Sequence, residues 1–389
     1  MTVLVLNTGS SSIKFAAYGA HGDSPVLRGT LSAIGEDQPE IKLAEDALGF
    51  SATLPAVPKL DGLGLLNWVL GQLQNFFPDV SAVGHRIVHG GRRFVAPAIL
   101  DDEATAALQA LAPLAPLHMP HNLAGVAAAA GIWPAAIQIG CFDTAFHRSQ
   151  PELAQRFAIP RDLHDAGVQR YGFHGLSYQF IAESLASHIG EAALGRVVVA
   201  HLGNGASLCA MKGGRSKAST MGMTALDGLM MGTRSGAIDP GVLLYLMESQ
   251  GYSAADVSRL LYRRSGLLGV SGISGDMRTL EASEDPAAAE ALALFARMAQ
   301  QQIAAMAANI GGLDVLVFTG GIGENAVGMR ADICEGLRWM GVDLDIGANR
   351  ARASRINAAG SAVQILILPT DEEAVIAAAA FSLSVQLAV

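Results

Sequence analysis

Two stretches of this chain share one plan, and a chain built twice on that plan has few architectures open to it. In the first, Val3-Leu-Val-Leu runs into Asn7-Thr-Gly9-Ser10-Ser11-Ser12 and turns apolar again at Ile13-Lys14-Phe15. A continuous Val/Leu run suits a strand buried on both faces, and Gly9 permits a tight turn, so the segment reads as strand, turn, strand. The turn gathers backbone N–H groups, three hydroxyls and the Lys14 ammonium, a concentration of donors that suits phosphate oxygens. Taken alone, it is equally an ordinary hairpin with a serine-rich turn. The echo tips the balance: Val197-Val-Val-Ala200-His201-Leu202-Gly203-Asn204-Gly205-Ala-Ser207 repeats the plan, with Asn7-x-Gly9 aligned on His201-x-Gly203. A third run, Val315-Leu-Val-Phe-Thr319, enters Gly320-Gly321-Ile322-Gly323-Glu324-Asn325, again a buried strand meeting a glycine-rich turn, with a helical pattern from Val327 to Met340.

Composition narrows the class. A chain of 389 residues should form about two domains with ample cores. No apolar run reaches membrane length, so the 51% hydrophobic content belongs in buried strands. The first residues lack the basic segment and cleavage site of a secretory signal, and the three separated cysteines give neither a disulfide framework nor metal spacing. A reducing cytoplasm is the expected home, without membrane attachment. A net charge of −9 argues against nucleic acid as a partner. A small anion can still bind where local Arg and Lys overcome the general field.

The remaining polar positions fall at element ends. Asp61 caps a helical pattern to Phe77, and Asp101 opens a second helix with an acidic first turn. Val80 to Gly91 reads as a strand carrying Arg86 and two histidines. Burying that Arg is costly without an anion, which is either a substrate or an internal ion-pair partner. After the loop 115–122 a helix runs from Leu123 to Ala130. The strand from Ile137 ends in Asp143, where ligands of α/β sheets usually bind, although capping the next turn is the plain alternative. His174 sits between two glycines before a helix from Tyr178 to Ile189, and Arg234 lies in a glycine-punctuated loop, 220–236. Another loop, 271–278, precedes a long Ala-rich helix, Glu290 to Ile310, whose Leu292, Phe295, Met298 and Ile303 read as core. A last strand, Val363–Leu368, leads to Glu372 and a final helix.

Two phosphate turns in two halves with a late glycine cluster resemble the superfamily of actin, the heat-shock chaperone ATPases and the sugar kinases. Neither P-loop spacing nor the protein-kinase motif set is present. Within that superfamily, LNTGSSSIK, HRIVHGG, FDTAFH, YGFHGLSY, HLGNGAS, MGTRSG, GGIGEN and PTDEE, in order, are similar to the motifs of the acetate kinase family, which includes propionate kinases. The resemblance covers both halves of the chain. It implies an α/β chain of two duplicated actin-like, ribonuclease H-like domains around an ATP cleft, with residues 1–147 plus 373–389 in one and 148–372 in the other. It also implies homodimers, ATP/ADP and Mg²⁺ or Mn²⁺ as cofactors, and phosphorylation of acetate, with propionate as the alternative acceptor.

Carried over motif by motif, the resemblance puts Asn7 and Glu372 by the metal, and Ser10, Ser12 and Lys14 by the phosphates. His201, Leu202, Gly203, Asn204 and Gly205 form the second phosphate turn. Asp276, Met277 and Arg278 with Gly321, Ile322, Gly323, Glu324 and Asn325 hold the nucleotide. Arg86 meets the substrate carboxylate, and Asp143, His174 and Arg234 surround the transferring phosphoryl group. Val88, Leu117, Phe173 and Ala225 line the methyl pocket. Val88 favours acetate, since propionate-preferring relatives tend to carry a smaller residue there, while Ala225 replaces a Pro common among relatives and loosens the pocket. Met119 also departs from the Asn usual there.

Chemistry fits this division of labour. Acetate is already an anion and needs no strong base; the task is to bring like charges together and hold the phosphoryl group in line. Asp143 is then expected to orient an arginine or a metal-bound water. A non-enzymatic ATPase module of the chaperone or actin type would share both hairpins without needing Arg86, His174 and Arg234. A sugar kinase would replace the arginines with hydroxyl-binding groups.

Overall fold

The computed structural model describes residues 1–388 apart from Ser10, Ser11, residues 20–23, Glu36 and Asp37. It divides into two compact units, Met1–Phe146 with Asp371–Val389, and His147–Thr370. Glu372, grouped with the second half on sequence, belongs to the first unit, because it opens the helix Glu372–Ala388 that packs on that unit's sheet.

The first unit is built on seven strands: β1 Val3–Thr8, β2 Ile13–Tyr18, β3 Pro25–Ser32, β4 Glu40–Asp46, β5 Ala82–Ile87, β6 Ala98–Ile99 and β7 Ile137–Phe142. Their spatial order is β4-β3-β2-β1-β5-β7-β6. β1 to β4 form an antiparallel meander, and β5 and β7 follow β1 in parallel. The second unit has β8 Arg196–Leu202, β9 Ala206–Lys212, β10 Arg215–Ser219, β11 Val315–Thr319 and β12 Gln364–Ile367, ordered β10-β9-β8-β11-β12. β9 is antiparallel to β8 and β10, and β8, β11 and β12 run parallel.

The duplication is therefore a matter of topology as well as of motif. β3-β2-β1-β5-β7 and β10-β9-β8-β11-β12 are the same five-strand plan, an antiparallel trio followed by two parallel strands. Asn7 and His201 are each the penultimate residue of the first strand in that plan. Both hairpin turns close through a glycine: Gly9 N–H donates to Ser12 O at 2.9 Å, and Gly203 N–H to Gly205 O at 3.1 Å.

Burial explains why these runs are strands. Every residue of β1 and β11 is buried, as a central strand covered on both faces requires. One face of the first sheet presents Leu4, Leu6, Phe15 and Leu27 to Leu65, Val69 and Leu73 of helix Gly62–Phe76 and to Ala129 of helix Met119–Ile132. Asp61 caps the former, accepting from Gly64 N–H at 2.7 Å. The other face of β1 and β5 receives helix Glu372–Ala388, and Gly84 permits the approach: a Cβ there would stand 2.5 Å from Ile376 Cγ2 and 3.4 Å from its carbonyl. Gly84→Ala is expected to cost about 1–3 kcal/mol of stability by overpacking, read as a lower urea midpoint at unchanged m-value.

Several boundaries differ from the sequence reading. The GGIGEN segment, read as a glycine-rich turn, is a helical one, Gly320–Asn325; Gly320 at φ +77° makes the corner and Glu324 Oε1 accepts from its N–H at 3.0 Å. The helix after it stops at Glu335, and half of the loop 115–122 is already helix from Met119, with Pro120 in its first turn. In the long helix, Pro286–Ile310, Phe295 and Ile303 are core but Leu292 and Met298 are only half-buried. Buried alanines 288, 291, 296, 299 and 307 let its backbone lie close to β8, β9 and β10, so small rather than large residues define its face.

Candidate active site

In the first unit, β1, β5 and β7 lie side by side in parallel, and their carboxyl ends carry Asn7, Arg86 and, one residue beyond β7, Asp143. This is the end of an α/β sheet where ligands bind. Arg86 makes an internal ion pair. Its Nε donates to Asp143 Oδ1 at 3.0 Å and its Nη2 to Oδ2 at 2.7 Å, a bidentate fork. Nη1 reaches Asn7 Oδ1 at 3.4 Å, and Glu372 Oε2 stands 3.7 Å from Nε. Asp143 is 1% exposed while the Arg86 side chain retains 24%. Its carboxylate is thus spent on Arg86 and does not cap the following turn.

Burial is the largest influence on Asp143 and raises its pKa, Glu372 adds to the rise, and Arg86 opposes both. Burial also works against the Arg86 charge, but Asp143 and Glu372 outweigh it and hold the guanidinium pKa above its ordinary value. His85 of β5 is structural. His85 Nε2 lies 2.8 Å from Gln138 Oε1, and burial pushes its pKa down to about 4, so it is a neutral core residue. Val88 is buried, its N–H donating to Asn122 Oδ1 at 3.0 Å; Leu117 is half-buried ahead of helix Met119–Ile132. Ser12 is half-buried and Lys14 exposed across from Asn7, while Ser10 lies outside the described residues.

A hard-oxygen set of Glu372 and the Asn7 amide beside Arg86 fits a Mg²⁺ ion, which is typically held by one or two carboxylates together with substrate phosphates. Among the described residues, no group of three His, Cys, Asp or Glu forms a cage that would hold a metal alone.

In the second unit, His174 occupies the cap of helix Gly175–Ile189 at φ +55°, a left-handed conformation rare for a side-chain-bearing residue. Its surroundings hold it there. Nδ1 lies 2.9 Å from Ser207 Oγ on β9, and the ring stacks on His201 with centroids 4.3 Å apart. His201 Nδ1 is in turn 2.8 Å from Ser177 Oγ, and Tyr178 Oη is 2.5 Å from Ser207 Oγ. Phe173 is buried, and its carbonyl meets His147 Nε2 at 2.8 Å; burial keeps His147 neutral, its pKa down to about 4.

Arg234 Nη1 donates to Ala225 O at 3.0 Å. It also flanks Gly205: a Cβ built on that glycine would meet His174 Nε2 at 3.5 Å and Arg234 Nη1 at 3.8 Å. The turn at Gly203–Gly205, His174 and Arg234 therefore share one neighbourhood. Gly232 lets the Arg234 loop press on the turn, its N–H donating to Asn204 O at 3.2 Å, and any side chain there would collide with Asn204 Oδ1.

Beside the turn lies a cavity of about 750 Å³, lined by Gly203 and Asn204, Gly275 to Arg278, Glu281, Gly321, Ile322, Asn325, Ala326 and Arg352. Of the residues expected to hold nucleotide, His201, Leu202, Gly205, Gly323 and Glu324 do not line it. Leu202 is buried in β8, Gly323 is buried with its carbonyl on Arg330 Nη1 at 2.8 Å, and Glu324 is turned back on Gly320. Asp276 caps helix Met277–Glu281, accepting from Arg278 N–H at 2.8 Å; the Arg278 guanidinium, 2.7 Å away, lowers the Asp276 pKa to about 2. Sequence reading missed Glu281, Arg352 and the buried Arg330–Asn349 brace beneath the cavity wall. A charged residue on the inward face of a predicted helix was the available signal for Arg330. Ser177 and Ser207 lay inside quoted motifs and were passed over.

A family model described as the Acetokinase family matches residues 2–378. An acetate kinase of Rhodopseudomonas palustris strain TIE-1 is 50% identical over 387 residues, covering 96% of each chain. Among solved structures, a propionate kinase from Francisella tularensis is similar with a TM-score of 0.89 at 34% identity, covering 98% of this chain and 99% of that one. An acetate kinase from Porphyromonas gingivalis gives 0.83 at 36% identity, with the same coverage.

Proposed function

Since the chain belongs to the acetokinase family, a family of ATP-using kinases, we propose that it transfers the γ-phosphoryl group of ATP to acetate, reversibly, giving acetyl phosphate and ADP. The supporting observation is the cavity of about 750 Å³ that three separate segments bound, through Gly203 and Asn204, through Asp276, Met277 and Arg278, and through Gly321, Ile322 and Asn325. Asn7 and Glu372 would hold Mg²⁺ or Mn²⁺, which when bound neutralises phosphate charge. Arg86, kept charged and oriented by Asp143, meets the acetate carboxylate. His174 and Arg234 bear on the equatorial oxygens of the transferring group, and Ser10, Ser12 and Lys14 on the phosphates. Asp143 serves as an orienter in this scheme, since both of its oxygens are committed to Arg86.

We take the two units as two domains of a cytoplasmic enzyme, consistent with Cys141, Cys209 and Cys334 being free and buried. A homodimer is supported by helix Pro240–Glu248, which buries none of its residues and exposes Val242, Leu244, Tyr245 and Met247.

Purified protein with acetate, ATP, Mg²⁺ and hydroxylamine is expected to yield acetohydroxamate; none above background overturns the proposal. Val88 favours acetate over propionate as acceptor, while Ala225 loosens the pocket. A methylene is worth only about 1–3 kcal/mol, so propionate is expected as a slower substrate, compared by kcat/KM.

A further inference from the structure

Three residues that the scheme above does not use form a bonded chain in the first unit. Tyr18, the last residue of β2, is 1% exposed, and Arg28 stands on the neighbouring strand β3. Arg28 Nη2 lies 2.6 Å from Asp371 Oδ2 and donates to the Tyr18 hydroxyl oxygen at 3.4 Å. Asp371 divides its two oxygens. Oδ2 takes the guanidinium, and Oδ1 accepts from Ala374 N–H at 2.9 Å in the first turn of helix Glu372–Ala388. One carboxylate thus fixes the helix start both along its axis and against the sheet.

Glu372 is the next residue, and its Oε2 stands 3.7 Å from Arg86 Nε. We infer that the Tyr18–Arg28–Asp371 chain is a positioning device that sets Glu372 beside Arg86 and Asn7 for a metal–nucleotide complex, which rests on the metal role proposed for Glu372. Stability alone gives such a pair little to do. Both side chains keep about a quarter of their surface, and partly exposed pairs contribute modestly. Residues one step removed from a metal ligand, by contrast, govern affinity strongly.

The test titrates Mn²⁺ into full-length protein saturated with ADP, reading free Mn²⁺ by electron paramagnetic resonance. Glu372→Gln is expected to weaken Mn²⁺ binding, and Arg28→Met to weaken it about 10-fold. The double variant is expected to bind no worse than Glu372→Gln alone, because Arg28 acts through Glu372. Arg28→Met binding Mn²⁺ as the wild type does, or an effect that adds in full to that of Glu372→Gln, overturns the inference. A merely structural role would lower the melting temperature and leave that coupling at zero. If Arg28→Met does not fold, Asp371→Asn, which keeps the cap oxygen and removes the charge, takes its place. Mn²⁺ affinity unchanged in Glu372→Gln overturns the metal reading itself, and the inference with it. Hydroxamate formation by the wild type separates that outcome from failure of the proposed reaction.

Discussion

Arg234→Ala lowers kcat by about 10³–10⁵-fold, roughly 4–7 kcal/mol of transition-state stabilisation, while ADP affinity stays close to that of the wild type. The two halves of this expectation have separate causes. Arg234 is not part of the cavity lining, so the contacts available to the nucleotide survive its removal. What disappears is a guanidinium that, like His174 Nε2, flanks Gly205 and is held by Ala225 O. The loop that carries it is tied independently, by Met231 N–H to Arg234 O at 3.1 Å and Ser235 N–H to Leu261 O at 3.2 Å. Alanine therefore removes the charge without unfastening its support. Arg234→Lys is expected to recover little, since a point charge lacks the planar fork that spans two oxygens. Initial rates at saturating acetate and ATP measure the first half, and calorimetric titration with ADP the second. A rise in KM with kcat intact would place Arg234 in ground-state binding.

How much of this was readable beforehand varies by element. The two hairpins were legible because their Val/Leu runs are too short for helices and rich in β-branched residues, and the glycines mark the turns. The five-strand plan they share emerged only in the strand order of the two sheets. The GGIGEN segment was legible as a glycine-rich turn but not as a helical one, because glycine density says nothing of how the residues after the Gly320 corner coil. The Ala-rich helix misled in the opposite way, since close packing selects its alanines and leaves Leu292 half-exposed. At the site, Arg86, Asp143 and His174 stood out as polar residues at strand ends or in glycine-flanked turns. Ser177, Ser207 and Asp371 did not, because their roles depend on partners that only the tertiary fold supplies. No spacing in a sequence reveals that Asp371 answers an arginine on β3.

Arg86→Met is expected to abolish acetate phosphorylation and, more diagnostically, to make stability pH-dependent in a defined sense. In the wild type the Arg86 fork offsets part of the effect of burial on Asp143, whose carboxyl is 1% exposed. Without the guanidinium that carboxylate is stranded, and removing one partner of a buried pair costs about 3–5 kcal/mol. The protein escapes part of this cost by binding a proton. Burial already raises the Asp143 pKa against Arg86, and with Arg86 gone burial and the neighbouring Glu372 charge act together to raise it further. In the variant the folded state then holds a proton on Asp143 that the unfolded chain has released above its ordinary carboxylate pKa of about 3.9. Stability must fall as pH rises through that window, because the native state binds more protons than the unfolded state. Relative to the wild type, the deficit is therefore small near pH 4–5 and largest at pH 7–8, with a limiting slope of about 1.4 kcal/mol per pH unit. Adding Asp143→Asn removes the titrating group, so the double variant is expected to regain much of the lost stability at neutral pH and none of the activity. Urea midpoints from pH 5 to 8 for both variants decide the matter. A deficit in Arg86→Met that is flat across that range would mean that Asp143 keeps its charge without Arg86, and that the fork orients neither residue for the reaction.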